Sequence, residues 1–229
     1  MITGGSRGIG LAIARVFADA GYAVIITARD PARLSDAVAG LKERGGWIDG
    51  ISCDVCDPAA VAKLFEMLEQ QYRSIDVLVN NAGVAHELLP VDKLPVETWK
   101  QVIDTNLTGT FLVTRAALPL IAGGGTIVNN LSIAAVQPFS GMSAYNAAKF
   151  GALGFTKALR EEVRKQGIRV LALIPGATKT EIWQQFWPEA PRNNMMTPET
   201  VAEAVLHAVS APPEAAVEEI VIGPTAGVL

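Results

Sequence analysis

A doubly wound α/β domain, a parallel sheet with helices on both faces, is the fold class this sequence predicts. Three observations predict it. Apolar runs alternate with helical patterns along the whole chain, the order that strand–helix–strand units require. Those runs are rich in Val and Ile and continuous rather than alternating, which suits strands covered on both faces. A glycine-rich turn, Thr3-Gly4-Gly5-Ser6-Arg7-Gly8-Ile9-Gly10, stands between an apolar stub and the first helical pattern.

The first strand is only Met1 and Ile2 before the turn. It should lie at the centre of the sheet, where truncation would expose backbone groups of both neighbours. The expectation is that Met1 is an internal position of a longer natural protein; if the short form is real, a stubby strand of reduced stability should result. A helix over 8–20 follows, with Gly21 where a helix end favours a left-handed residue, then a strand over 22–27. A helix is predicted over 31–44, a strand over 47–52, and a helix over 58–71 opened by Asp57-Pro58, an N-cap followed by proline at the first helical position. A strand over 75–79, a long helix over 98–120 and a strand over 125–131 come next. A helix over 143–166 ending near Gly167, a strand over 168–173, a helix over 198–210 opened by Thr197-Pro198 and a strand over 219–223 complete the order. Neither a repeat nor a linker divides the chain, so residues 1–229 form one domain.

At 229 residues, half of them hydrophobic and 18% charged, the chain can bury a large core. A net charge of −4 excludes the clustered basic footprint of a nucleic-acid binder. No run approaches the roughly 18 apolar residues of a membrane span, and no signal peptide is recognisable, so a cytoplasmic protein without membrane partners is expected. Cys53 and Cys56 form a C-x-x-C, but there is no second pair and the two histidines, His86 and His207, lie far away. No metal site is expected.

The chemistry is concentrated in Tyr145-Asn-Ala-Ala-Lys149, with Ser132 upstream. On a helix Tyr145 and Lys149 stand side by side on one face. A lysine ammonium there favours the phenolate and should pull the tyrosine down from about 10 toward working pH. A serine hydroxyl at the same spot can hold a carbonyl or alcohol oxygen while the tyrosine passes the proton.

Together these motifs resemble the short-chain dehydrogenase/reductase family over essentially the whole chain, in the manner of its 3-oxoacyl-carrier-protein-reductase-like branch. Thr3 to Gly10 matches its T-G-x-x-x-G-x-G turn, Asn80-Asn81-Ala82-Gly83 its N-N-A-G segment, and Asn106 its catalytic asparagine. Ser132, Tyr145 and Lys149 match its catalytic serine and Y-x-x-x-K. The resemblance implies a Rossmann fold and hydride transfer between a nicotinamide cofactor and a carbonyl or secondary alcohol, with Tyr145 as acid/base. It also implies that Lys149 holds the nicotinamide ribose and that Asn106 anchors a water for proton resupply. The cofactor would be lined by Gly4, Ser6, Arg7, Gly8, Ile9, Gly10, Asp54, Val55, Asn80, Ala82 and Gly83, with Tyr145, Lys149, Pro175, Gly176, Thr178 and Thr180 at its nicotinamide end. A non-catalytic NADP-binding sensor or scaffold on the same fold is the alternative.

Charge argues for NADP(H) over NAD(H). An acidic residue after the second strand would bind ribose hydroxyls and repel a 2′-phosphate; here Ala28 stands there, followed by Arg29, with Arg7 in the turn. Residues 178–197 are expected to form a substrate lid, in which Trp183, Phe186 and Trp187 line an apolar pocket or merely pack. Phe139, Met142 and Val84 would extend that wall, His86 is left between wall and surface, and Lys179 and Arg192 leave open an anion clamp. The substrate expected is a medium-sized, mostly apolar ketone or aldehyde, a 3-oxoacyl thioester being one candidate. The resemblance further implies a homotetramer or homodimer assembled through the helices near 98–120 and 143–166.

Overall fold

The computed structural model describes residues 1–227. The chain runs β1 (Ile2–Thr3), α1 (Gly8–Asp19), β2 (Val24–Ala28), α2 (Pro31–Lys42), β3 (Ile48–Ser52), α3 (Pro58–Gln71) and β4 (Ile75–Asn80). It continues through α4 (Val96–Ile103), α5 (Gly109–Ala117), β5 (Ile121–Asn130), α6 (Ser143–Val163), β6 (Arg169–Pro175), α7 (Pro198–Val209) and β7 (Glu219–Ile222). All pairings are parallel, in the order β3-β2-β1-β4-β5-β6-β7. The order reverses at β1, the switch point beyond whose strand ends α/β folds bind ligands.

Two apolar layers sandwich the sheet. Ile13 and Phe17 of α1, Leu34 and Leu41 of α2, and Val201 and Val205 of α7 bury one face. Val61, Leu64 and Phe65 of α3, Val113 of α5, and Leu159 and Val163 of α6 bury the other. The caps read from the sequence are present: Asp57 accepts from the Ala59 N–H at 2.9 Å and Thr197 from the Thr200 N–H at 3.3 Å. Gly21 and Gly167 take φ values of 86° and 72°, the left-handed conformation a helix exit needs. No described helix is long and apolar enough to cross a membrane.

Three elements differ from expectation. The helix expected over 98–120 is α4 and α5 joined by a π turn, Asp104–Thr108, and closed by a 3-10 turn, Leu118–Leu120. Strand β5 begins at Ile121 because Ile75 pairs with Ile121 and Val77 with Thr126, a register shift absorbed by Gly123, Gly124 and Gly125. Strand β1 is as short as expected, yet Met1 extends its pairing. The Met1 amine donates to the Val77 carbonyl at 2.7 Å and the Met1 carbonyl accepts from the Val79 N–H at 2.8 Å. Burial pushes that amine down to about 5, partly opposed by Asp76.

Candidate active site

A cleft of about 840 Å³ lies across the C-terminal ends of the strands. Its floor begins at the glycine-rich turn. Gly4 has φ 61°, and a Cβ there would come within 2.8 Å of Ala82 Cα. Arg7 opens α1 without a side-chain cap, and Ser6, Arg7, Gly8 and Ile9 line the cleft, so the first N–H groups of the helix are available to an anion. Gly10 does not line it. Its role is packing, since a Cβ would meet Asn81 Nδ2 at 2.3 Å and the Gly4 carbonyl at 2.5 Å.

Asn81, not Asn80, belongs to the site. Asn81 Nδ2 donates to the carbonyls of Thr3 and Gly4, both at 3.0 Å, and its Oδ1 accepts from Asn130 Nδ2 at 2.8 Å. Asn80 is 4% exposed and is turned away, donating to Thr114 Oγ1 at 2.9 Å and Asn129 Oδ1 at 2.8 Å. Successive strand residues point to opposite faces, and here that parity separates two adjacent asparagines. Asp54 stands beside the cleft rather than in its lining. Its carboxylate accepts from the Cys56 N–H at 3.0 Å, and it is Cys53 and Val55 that line the cleft beside Ala82 and Gly83.

Ser132, Tyr145 and Lys149 converge at the deep end. Ser132 ends the strand–turn after β5 by accepting from the Ala134 N–H at 3.1 Å. One turn of α6 separates Tyr145 from Lys149, whose Nζ lies 5.5 Å from the phenol ring centre and donates to the Asn130 carbonyl at 3.0 Å. Burial pushes the phenol up to about 12, with the neighbouring Ser132 hydroxyl pulling it partly back. Burial also pushes the Lys149 ammonium down to about 8. The expected depression of the tyrosine by the lysine is therefore not what the protein alone produces: desolvation of both groups dominates, and Tyr145 is a neutral phenol at pH 7. Asn106, inside the π turn, also borders the cleft. Its amide is committed to backbone, donating to the carbonyls of Val84 at 2.9 Å and Val102 at 2.8 Å and accepting from the Val84 N–H at 3.3 Å.

The opposite end is cationic. Ala28 closes β2, and Arg29 after it lines the cleft with no ion-pair partner among the described residues. Asp30 is occupied as the N-cap of α2, accepting from Ala32 and Arg33 N–H at 3.0 and 3.1 Å. Arg33 also faces the cleft, and sequence reading missed it; the Asp30-Pro31 helix start, which puts residue 33 in the first turn, was the available signal.

Residues 178–197 form the mouth. A parallel bridge joins Thr178 to Met196, with 3-10 turns at Glu181–Gln185 and Arg192–Asn194. Pro175, Gly176, Thr178 and Thr180 line the cleft below. Trp183 both packs and lines: it stacks on Phe186 at 4.8 Å, donates from Nε1 to the Thr178 carbonyl at 2.8 Å, and buries against Ala190 and Met195. With Trp187, Val84, Phe139 and Met142 it makes an apolar wall above Tyr145. His86 is buried outside the wall, its Nδ1 on the Glu87 carbonyl at 2.7 Å. Arg192 is not an anion clamp in the cleft; it donates to the Thr180 carbonyl at 2.8 Å and covers Trp183. Cys53 is buried and Cys56 lies 3.4 Å from Thr105 Oγ1; both are free thiols.

Residues 1–191 match the model of the short chain dehydrogenases. The chain belongs to that family. It is 34% identical over 208 residues to an uncharacterized oxidoreductase of Bacillus subtilis, covering 90% of this chain and 80% of that protein. It is 36% identical over 189 residues to a 3-oxoacyl-[acyl-carrier-protein] reductase of Synechocystis, covering 81% and 76%. The structure of an alcohol dehydrogenase from Thermococcus sibiricus complexed with 5-hydroxy-NADP superposes with a TM-score of 0.91 at 28% identity, covering 99% of this chain and 96% of that one. This short-chain dehydrogenase thus shares its fold and its oxidoreductase family with those relatives.

Proposed function

We propose that this protein is an NADP(H)-dependent oxidoreductase that moves hydride between the nicotinamide and a carbonyl carbon or its secondary alcohol, with Tyr145 as acid/base. The observation that carries this reading is the convergence of Ser132, a neutral Tyr145 and Lys149 beneath an apolar wall, at the far end of a cleft whose other end holds Arg7, Arg29 and Arg33. The residues fit the dinucleotide. The uncapped start of α1 suits a pyrophosphate, the three arginines suit a 2′-phosphate, and Ala28 rather than an acidic residue closes β2, while Asp30 holds the start of α2 through Oδ1. A relative whose structure holds 5-hydroxy-NADP supports the same choice.

Gly4, Ser6, Arg7, Gly8 and Ile9 would hold the pyrophosphate, Val55, Asn81, Ala82 and Gly83 the adenosine side, and Tyr145, Lys149, Pro175, Gly176, Thr178 and Thr180 the nicotinamide side. NADPH bound there supplies the hydride. Ser132 orients the carbonyl oxygen, Tyr145 delivers the proton to it, and the Lys149 ammonium offsets the charge left on the phenolate. Asn106 serves by fixing the Val84 backbone at the wall. Residues 178–197 act as the lid. The wall suits a medium-sized, mostly apolar ketone or aldehyde, and the 3-oxoacyl relative keeps such thioesters among the candidates. Assembly as a homodimer or homotetramer is proposed through α5 and α6, which leave Phe111 and Phe150 43% and 45% exposed.

The test is oxidation of NADPH against a panel of aldehydes, ketones and 3-oxoacyl esters, with Tyr145→Phe as control. Turnover reduced by about a hundredfold or more in the variant, with NADPH binding retained, is expected. Equal turnover in both proteins would overturn the assignment of the acid.

A further inference from the structure

Two guanidinium groups already hold an oxyanion in the cleft. Arg7 Nη1 and Arg33 Nη1 both donate to one oxygen, Glu181 Oε2, each at 3.0 Å. The three residues come from separate segments: Arg7 from the glycine-rich turn, Arg33 from the first turn of α2, and Glu181 from the first residue of the turn that opens the strap over the mouth. All three line the same cleft. The contact therefore spans the cleft from its cationic end to its mouth. A carboxylate oxygen held between two guanidinium groups is the local chemistry of a bound phosphate oxygen, with a single charge in place of up to two.

We infer that Glu181 is a cofactor-specificity residue: its carboxylate stands in for the 2′-phosphate between Arg7 and Arg33, and a dianionic phosphate displaces it, releasing the first turn of the strap. The inference rests on the NADP(H) reading above. Two consequences separate it from a simple surface ion pair. Discrimination for the 2′-phosphate is reduced by the competition, because Arg7 and Arg33 must leave Glu181 before they serve the ligand. An adenine nucleotide without the 2′-phosphate leaves the latch closed. The strap then senses which cofactor has arrived, because Glu181 sits two residues before Trp183, whose Nε1 bonds the Thr178 carbonyl and holds the strap's own fold.

The experiment compares binding of adenosine 2′,5′-bisphosphate with adenosine 5′-monophosphate, by calorimetry, in the parent protein and in Glu181→Gln. Neither ligand carries a nicotinamide, so turnover does not enter. Glu181 is 60% exposed, and its replacement leaves the core untouched. The preference for the bisphosphate should widen by about three- to tenfold in Glu181→Gln, and adding Arg33→Ala should remove that gain. Tryptophan fluorescence of the parent should respond to the bisphosphate and not to the monophosphate. A ratio that stays the same or narrows in Glu181→Gln overturns the latch while leaving the cofactor reading standing. A parent protein that fails to prefer the bisphosphate overturns the cofactor reading itself, and the latch with it.

Discussion

Asn106 grips Val84 by both backbone groups, donating to its carbonyl at 2.9 Å and accepting from its N–H at 3.3 Å. The same Nδ2 reaches the Val102 carbonyl at 2.8 Å, four residues back along its own helix. In an α-helix that carbonyl bonds the backbone N–H four residues on. Here the Asn106 side chain reaches it, and the loop after β4 is tied to the helix that faces it.

Replacing Asn106 with Ala strips three buried backbone groups of this partner. Stability should fall by about 2–4 kcal/mol in urea unfolding, since each buried group left unpaired costs about 1–3 kcal/mol and the loop relaxes in part. Because Val84 belongs to the apolar wall, KM for the carbonyl substrate proposed above should rise as well. A variant as stable as the parent would show that the grip is incidental.

The directions of the two buried shifts predict an asymmetric pH profile. Tyr145, held up to about 12, keeps its proton through neutral pH and is ready to donate it, whereas alcohol oxidation must first remove that proton. Lys149, held down to about 8, is an ammonium below that pH and loses its charge above it. Carbonyl reduction should therefore decline above about pH 8, and Lys149→Met should be slower and lack that limb. Persistence of the limb in the variant would assign it to another group.

Two glycines in helices predict opposite signs. Gly10→Ala would drive a Cβ to 2.3 Å from Asn81 Nδ2 and should cost about 1–3 kcal/mol while weakening NADPH binding through the displaced turn. Gly40→Ala in α2 meets nothing within 4 Å and should stabilise by up to about 1 kcal/mol. Thermal unfolding of the pair checks both; equal shifts would refute the packing role of Gly10.

The buried amine of Met1 gives a stability prediction for a chain made to start there. Its folded value of about 5 lies below its ordinary 8.0, so between these the unfolded chain binds more protons than the folded one. Stability should therefore rise as pH climbs from about 5 to 8, by at most about 4 kcal/mol, and then level off. Acetylation of the amine should flatten that segment. Identical urea midpoints for the two forms across this range would refute the burial.

Most of the architecture was legible because helix periodicity, caps and glycine exits each carry a local signal: Asp57-Pro58, Thr197-Pro198, Gly21 and Gly167 all stand where the sequence placed them. What escaped has a physical cause in each case. The π turn inserts one residue into a helix whose apolar pattern continues on both sides, so the break between α4 and α5 leaves no gap to read. The early start of β5 is hidden by three glycines without side chains to show a period. The exchange of Asn80 for Asn81 reflects a strand apolar on both faces, where composition does not reveal which side a residue takes. The sequence reading placed Ser132, Tyr145 and Lys149 correctly together, but not the sign of the tyrosine's shift, which depends on depth of burial rather than on spacing.

The asparagines beneath the cleft have a consequence for how the sheet assembles. Asn80 Nδ2 bonds Thr114 Oγ1 and Asn129 Oδ1, Asn129 Nδ2 bonds Thr156 Oγ1, and Thr156 Oγ1 donates to the Ala152 carbonyl. This polar rivet passes from β4 through β5 into α5 and α6. Beside these asparagines, β4 and β5 pair through short aliphatic runs, Val77-Leu78-Val79 and Ile127-Val128, which could slide by two residues and still bury apolar surface. A slid pairing would strand several amides and hydroxyls in hydrocarbon at once. The rivet thus acts as an alignment key during folding, and sequences that drift freely at the aliphatic positions would keep one register so long as it is retained.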